Sequence, residues 1–308
     1  MFYEKLFCYS RSVPIVRSFC RRLYEHWWTS VWNRYASPCV SVRLLDLGAR
    51  NGLKEAAVFA PLRYLKNASA VGVEPDEEET ERLRKSKEYE KIFAEGIAGY
   101  TGEAVLHVLN PLCSSIKRVN KALFDDYGFH IDWYRDTGKR VPIQVKTLDD
   151  LLGEDKAFDF IKLDIHGVEY EVLSSMSDAL LKNVMEIYVG TRTIPFYEGE
   201  HTLDEIAKLM KDRGFCWLFS CDDSEHPFCS EYNVFFVKDP RTIRTVEQAL
   251  KHCLAGLLVG RFKYVRYVLQ FYKERYGNCE VLDVFERKLL GKKGKVGNRP
   301  FLSFRLFV

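Results

Sequence analysis

The sequence predicts an α/β fold, a doubly wound and mostly parallel sheet with helical extensions at both ends. Three observations point there. From Val40 onward, short apolar runs alternate with helical stretches. Several of the runs are continuously apolar, as strands buried on both faces are. The first run ends in an acid and a glycine-punctuated turn, "LLDLGARNGL" (44–53).

Residues 1–36 read as a helix closed by Pro38, with Trp27, Trp28 and Trp32 set among arginines. That composition suits a helix at a membrane surface or one that packs on the domain. Strands follow at "VRLLDLG" (42–48), "AVGVEP" (70–75), "KIFAEGIAG" (91–99), "EAVLHVL" (103–109), "FDFIKLDI" (158–165) and "NVMEIYVG" (183–190). "FCWLFS" (215–220) and "NVFFVK" (233–238) close the series as an antiparallel hairpin at the sheet edge. Between them, "PDEEETERLRKSKEYEK" opens acidic and turns basic, which complements a helix dipole. "HTLDEIAKLMKDRG" carries a capping-box pair, Thr202 and Glu205, and stops at Gly214. Strands alternating with helices make a doubly wound sheet. After Lys238, Val246, Ala249, Leu250, Cys253, Leu254 and Leu257 recur at helical spacing, with Gly256 and Gly260 as candidate breaks. "KYVRYVLQFYKERYG" and "CEVLDVFERKLLG" extend the helical region. The expected domains are a basic, aromatic helical segment (1–39), the α/β domain (40–240) and a helical extension with a basic tail (241–308).

The 308 residues are 47% hydrophobic and 29% charged, so a packed core is expected rather than disorder. The net charge of +3 hides an uneven distribution. Residues 1–40 carry +4 and residues 287–308 carry +7, which leaves −8 between them. Basic ends on an acidic body suit an anionic surface, or they are simply solvated. Nine scattered cysteines without C-x-x-C, and no secretory leader, lead us to expect a reduced, cytoplasmic protein. Cys216, Cys221, His226 and Cys229 cluster but match no common zinc spacing, and no metal is expected. No run of 18 apolar residues is present to span a membrane. The basic ends contain no nucleic-acid recognition motif, and no nucleic-acid partner is expected.

A glycine turn after the first strand lets backbone approach a ligand, and a helix that follows would offer free N–H groups. The turn here is Asp46-x-Gly48-Ala49-Arg50-Asn51-Gly52. It lacks the middle glycine of a dinucleotide fingerprint and the G-K-[ST] of a P-loop. An acid at the strand end would repel a pyrophosphate and suit a ligand with an amino group. S-adenosylmethionine is such a ligand, and a purely structural turn is the alternative. Glu74, before Pro75, ends the second strand, where a carboxylate can accept from both ribose hydroxyls or cap the next helix. Glu95, Gly96 and Ile97 are placed for an adenine edge. Asp164 ends the next long strand, with Gly167 in its turn. Ligands of such sheets sit beyond the carboxyl ends of the strands, so Asp46, Glu74, Glu95 and Asp164 would converge on one crevice.

The order "LLDLGARNG", "VGVEP", "AGYTGEAVLHVL", "VKTLDDLL", "FDFIKLDIHGVEYEVL", "FYEGEHTLDEIAKLMKDRGF" resembles the FkbM family of S-adenosylmethionine-dependent methyltransferases over roughly residues 41–240. The resemblance implies a Rossmann-like methyltransferase sheet and O-methylation of hydroxyls on sugars, glycans and natural products. Three positions depart from the family pattern. Arg50 stands where the turn usually has Asn, His166 where Gln or Glu is usual, and Gly190 replaces a common strand-end acid.

The expected cofactor set is Asp46, Gly48, Ala49, Asn51, Gly52, Glu74, Pro75, Glu95, Gly96, Ile97 and Asp164. Methyl transfer is an in-line displacement that needs alignment and an exit for the hydroxyl proton. His166 matches a base by its ordinary pKa, and Asp164 is the other candidate. Glu169 is either a third catalytic acid or a first-turn acid favoured by the dipole. Lys162, inside an apolar strand, needs a partner among the crevice acids. Tyr197 and Glu198 lie in a loop able to reach an acceptor. The alternative function is an inactive cofactor- or glycan-binding module. A metal-assisted reaction would use Asp164 as one ligand, but no second or third ligand stands out. The basic ends would serve a peripheral membrane contact.

Overall fold

The computed structural model describes residues 14–109, 113–129, 132–223 and 230–291. In chain order its elements are helix α1 (Pro14–Tyr35), strands β1 (Val42–Leu47) and β2 (Ala68–Val73), and helix α2 (Glu77–Ser86). Strands β3 (Lys91–Phe93), β4 (Gly96–Ile97) and β5 (Gly102–His107) precede helix α3 (Lys121–Tyr127) and strand β6 (Arg140–Lys146). Helix α4 (Leu148–Leu152), strand β7 (Phe160–Leu163), helices α5 (Glu169–Ser175) and α6 (Asp178–Leu181) and strand β8 (Glu186–Arg192) come next. Helix α7 (Leu203–Asp212), strands β9 (Phe215–Asp222) and β10 (Glu231–Lys238) and helices α8 (Val246–Leu258), α9 (Phe262–Tyr276) and α10 (Glu280–Leu290) complete the chain. These elements form two units. Among the described residues, 42–56 and 69–239 make the sheet unit, and 14–41, 57–68 and 240–291 make the helical unit.

The sheet unit has seven strands in the order β3-β2-β1-β7-β8-β10-β9. The pairs β2–β3, β1–β7 and β7–β8 are parallel, and β10 runs antiparallel to both of its neighbours. Side chains alternate across a strand. On one face, Leu45, Leu47, Ile161, Leu163, Ile187, Val189, Val234 and Phe236 pack with Leu148, Val172, Leu180, Ile206 and Met210 of helices α4 to α7. On the other, Ile92 joins Ala49 and Leu83 of helix α2. Helices on both faces make the sheet doubly wound, and the largely buried, mostly apolar β1 and β7 follow from that.

Local signals explain the helix ends. Asp76 caps α2 by accepting the Glu79 N–H at 3.1 Å, and three glutamates fill the first turn. Thr202 and Glu205 form the capping box of α7.

Three expectations change. Residues 91–99 are not one strand: Glu95 sits in a bend, β3 pairs with β2, and β4 pairs with β6 in a separate three-stranded sheet, β4-β6-β5. Strand β5 therefore lies outside the main sheet, antiparallel to β6. The closing hairpin is antiparallel as expected, but only β9 is at the edge, because β10 inserts between β8 and β9.

In the helical unit the tryptophans of α1 are packed. Trp28 is 0% exposed and Trp32 1% exposed. Trp32 meets Phe285 edge-on at 5.9 Å, Trp27 lies 6.1 Å from Phe262, and the Tyr24 hydroxyl donates to the Leu257 carbonyl at 2.6 Å. Gly256 stays inside α8, and Gly260 follows its end with φ 66°. No helix among the described residues is long and apolar enough to cross a membrane.

Candidate functional site

The first corner is built on Asp46, 1% exposed at the end of β1. A buried carboxylate must be paired. Lys162 of the adjacent strand donates to its Oδ1 at 3.0 Å and the Tyr89 hydroxyl to its Oδ2 at 2.6 Å. Burial pulls the Lys162 ammonium down, but Asp46, Asp164 and Glu74 outweigh it and hold its pKa above the ordinary lysine value. Lys162 thus has the crevice partner its sequence position demanded. It also donates to the Gly48 carbonyl at 3.1 Å, so the ion pair holds the glycine turn.

Gly48 is required twice over. Its φ is +79°, and a Cβ there would strike the Asp164 carbonyl oxygen. The turn is satisfied from within. Gly48 and Ala49 donate to the Val73 carbonyl at 3.1 Å each, Asn51 donates to Glu79 at 2.6 Å, and Gly52 to the Ala49 carbonyl at 3.0 Å. Leu53 donates to Glu88 at 2.8 Å. No α-helix follows, as the expected free helical N–H groups would require; the chain continues in the 3-10 turn Leu53–Glu55.

Glu74 is 5% exposed at the end of β2, just before Pro75. Its Oε1 accepts the Asp76 N–H at 3.0 Å. Arg50 reaches across from the turn, 3.6 Å from Glu74 and 3.2 Å from Asp76. Burial raises the Glu74 carboxyl to about 7, against the pull of the Asp76 amide and Arg50. Glu95 pairs with Lys146 at 2.9 Å. Gly96 is buried beside Ile143 and Val145, and Ile97, 7% exposed, belongs to the core rather than to an open edge.

The second corner lies beyond β7 and β8. The Asp164 side chain is 38% exposed, 4.0 Å from Lys162 and 3.8 Å from Nε2 of His166. A Cβ on Gly190 would come within 3.0 Å of Asp164 Oδ1, so the bare glycine makes room for that carboxylate. An acid at position 190 would crowd and repel it. Glu169 is 3% exposed and turns back to accept the Ile165 and Gly167 N–H groups at 3.1 and 2.8 Å. Burial raises its carboxyl to about 7, with Arg192 pulling the other way. Glu169 therefore holds the 165–167 turn from the first turn of α5. Tyr197 is 0% exposed and donates to the Cys113 carbonyl at 2.7 Å, so it is a wall residue, while Glu198 is exposed.

Sequence reasoning missed Arg192. Buried at the end of β8, it donates to Glu200 at 3.0 Å, Glu231 at 3.2 Å and the Tyr134 hydroxyl at 3.0 Å. It also bonds Nδ1 of His166 at 3.1 Å. Burial opposes its charge, but Tyr134, Glu200, Tyr197 and Glu231 more than offset that and raise its pKa further. The available signal was an arginine closing the apolar run "EIYVGTR".

Asp46, Glu74 and Asp164 are thus linked electrostatically through Lys162, and His166 lies between Asp164 and Arg192. Glu95 is held apart by Lys146. No group of three or more His, Cys, Asp or Glu among the described residues could hold a metal ion. His226 and Cys229 of the cysteine cluster lie outside the described residues.

Among solved structures, the chain is similar to magnesium protoporphyrin IX methyltransferase from Synechocystis PCC 6803, crystallised with bound S-adenosylmethionine. The match has TM-score 0.39 and 11% identity and covers 77% of this chain and 84% of that one. It is similar to a putative tRNA (m1A22) methyltransferase from Streptococcus pneumoniae, with TM-score 0.33, 14% identity and coverage of 84% and 96%. It is also similar to 1,6-didemethyltoxoflavin-N1-methyltransferase from Burkholderia thailandensis, with TM-score 0.33, 14% identity and coverage of 74% and 89%. At such low identity and TM-score these likenesses say nothing of what this chain binds or methylates. No curated protein matches the sequence. The family model described as "Methyltransferase FkbM domain" matches residues 46–216, from the Asp46 corner through β8 and into β9, and by that match over more than half its length the chain belongs to this methyltransferase family.

Proposed function

We propose that the protein is an S-adenosylmethionine-dependent O-methyltransferase acting on a hydroxyl of a sugar, a glycan or a related natural product. The observation that carries this reading is Glu74. It is a buried carboxylate at a strand end, and its Oε2 takes no hydrogen bond from the described residues. A ribose diol would add two donors to this carboxylate. When bound, the cofactor supplies an electrophilic methyl group on a sulfonium. Asp164 is open enough to face either the methionine ammonium or the acceptor hydroxyl. Gly48, Ala49, Asn51 and Gly52 contribute shape, since their amides are already engaged. Pro75 fixes the bend after Glu74. Glu95 and Gly96 would flank the adenine, with Ile97 as support behind them. Asp46 acts through Lys162 and Tyr89 rather than by direct contact. On this reading residues 40–240 are the methyltransferase domain, flanked by the helical segments 1–39 and 241–308.

Isothermal titration with S-adenosylmethionine tests the reading. Wild type should bind, and Glu74→Ala should weaken binding by about 10- to 100-fold, the worth of one or two charge-assisted hydrogen bonds. No binding to wild type at high micromolar cofactor would sink it. The second reading, a catalytically inactive cofactor- or glycan-binding module, is motivated by Arg50 and Gly190, where the chain departs from the family pattern. Cofactor binding without methyl transfer to any member of a broad hydroxyl panel would favour it.

We also propose a cytoplasmic protein whose basic ends visit an anionic membrane surface, motivated by the +7 of residues 287–308. Residues 1–13 and 292–308 of these ends lie outside the described residues. Anionic vesicles should sediment the full chain and release it in high salt. Equal sedimentation of a chain lacking both ends would remove this idea.

A further inference from the structure

The contact between Arg192 and His166 decides which group at the second corner can take a proton. A guanidinium has donors only. Nδ1 of His166, 3.1 Å from Arg192 Nη2, must therefore be the acceptor. A neutral imidazole that accepts at Nδ1 carries its hydrogen on Nε2. That nitrogen faces Asp164 Oδ1 at 3.8 Å. A second proton, placed on Nδ1, would set N–H against N–H and one cation against another beside the buried Arg192.

Arg192 cannot easily swing away to relieve this. Glu200, Glu231 and the Tyr134 hydroxyl hold its other donors, and its guanidinium lies 5.3–5.7 Å from the ring centroids of Tyr134, Phe196 and Tyr197. His166 is held from its backbone as well. Its φ of 60° is in the left-handed region, and the Ser115 hydroxyl donates to its carbonyl. Among the described residues, Arg192 lies on one side of the ring and Asp164 on the other, with Lys162 behind Asp164.

We infer that Arg192 is a positioning residue that locks His166 in the neutral Nε2–H form, so that Asp164 and not His166 takes the proton from the acceptor hydroxyl. The role of Asp164 rests on the methyl-transfer reading above; the state of His166 does not. In the step itself the acceptor O–H bond breaks and its proton passes to an Asp164 oxygen. The new O–CH3 bond forms as the S–CH3 bond breaks, and that electron pair stays on sulfur.

Nitrogen-15 NMR of the full-length protein, labelled at histidine, tests the lock. The His166 signals are assigned by their loss in His166→Gln. Between about pH 6 and pH 8, His166 should show one protonated nitrogen, Nε2, and one unprotonated nitrogen, Nδ1. The pattern should persist in Asp164→Asn. In Arg192→Lys, which cannot fork between Glu200, Glu231 and His166, the tautomers should mix or the ring should titrate. A melting curve on the same sample confirms that the variant is folded. A hydrogen on Nδ1, an imidazolium at pH 7, or a wild-type pattern in folded Arg192→Lys would each overturn the lock. For Asp164, a labelled-methyl assay on a glycan extract should show Asp164→Asn slower by about 10²- to 10⁴-fold. Turnover at the wild-type rate in that variant would overturn its role. Absence of turnover in wild type would count against the methyl-transfer reading and leave the NMR result standing.

Discussion

Gly48→Ala should destabilise the sheet unit by about 4 kcal/mol, read as a fall in the urea midpoint without a change in slope. Two costs add. A φ of +79° costs a residue with a Cβ roughly 1–2 kcal/mol, and the methyl group would strike the Asp164 carbonyl, an overpacking cost of about 1–3 kcal/mol. The struck group is backbone at the end of β7, whose Asp164 N–H is bonded to the Leu47 carbonyl at 3.2 Å, so it cannot yield without pulling the two parallel strands apart. The variant should also displace the Asp164 carboxylate and weaken cofactor binding. A loss of under about 1 kcal/mol would show that the turn relaxes freely and that the glycine serves some other purpose.

Lys162→Met should be of similar size, about 3–5 kcal/mol, because it strands the Asp46 carboxylate in a site that is 1% exposed. The informative comparison is the double variant Asp46→Asn/Lys162→Met. Asparagine still accepts from the Tyr89 hydroxyl, and no charge is left buried, so more than half of the lost stability should return. Chemical denaturation of the two single variants and the double variant measures this. Simple additivity of the two single effects would show that the pair is not coupled, contrary to the 3.0 Å contact.

What the sequence revealed and what it hid follow from where each kind of signal lives. Asp46, Glu74 and Asp164 were legible because each is an acid that ends an apolar run, and a parallel sheet gathers such ends on one edge. Belonging to the methyltransferase family was legible for the same reason. Strand β6 was not. "RVPIQVK" alternates, carries Pro142 and is half exposed, so it lacks the continuous apolar signature of the buried strands. The break at Glu95 was hidden because a two-residue strand such as β4 leaves no period to read. Arg192 was hidden because its partners, Tyr134, His166, Glu200 and Glu231, come from four separate stretches. No local spacing rule joins them. The tryptophans of α1 were ambiguous because composition alone does not distinguish a headgroup boundary from a protein interior; Phe262 and Phe285 occupy that interior.

The Asp46–Lys162 pair has one more consequence. The two residues face each other directly in the ladder, Asp46 opposite Lys162 between Leu45–Ile161 and Leu47–Leu163. Strands β1 and β7 meet only after more than a hundred intervening residues have been folded or looped out. Apart from Arg43 at the start of β1, the rest of both strands is apolar and offers little to distinguish one alignment from the next. A slip of one residue would bury an unpaired acid against leucine and an unpaired lysine against another, each at several kcal/mol. The ion pair thus works as a key that admits a single alignment of the two central strands, and that alignment brings Gly48 of the turn against the backbone carbonyl of Asp164.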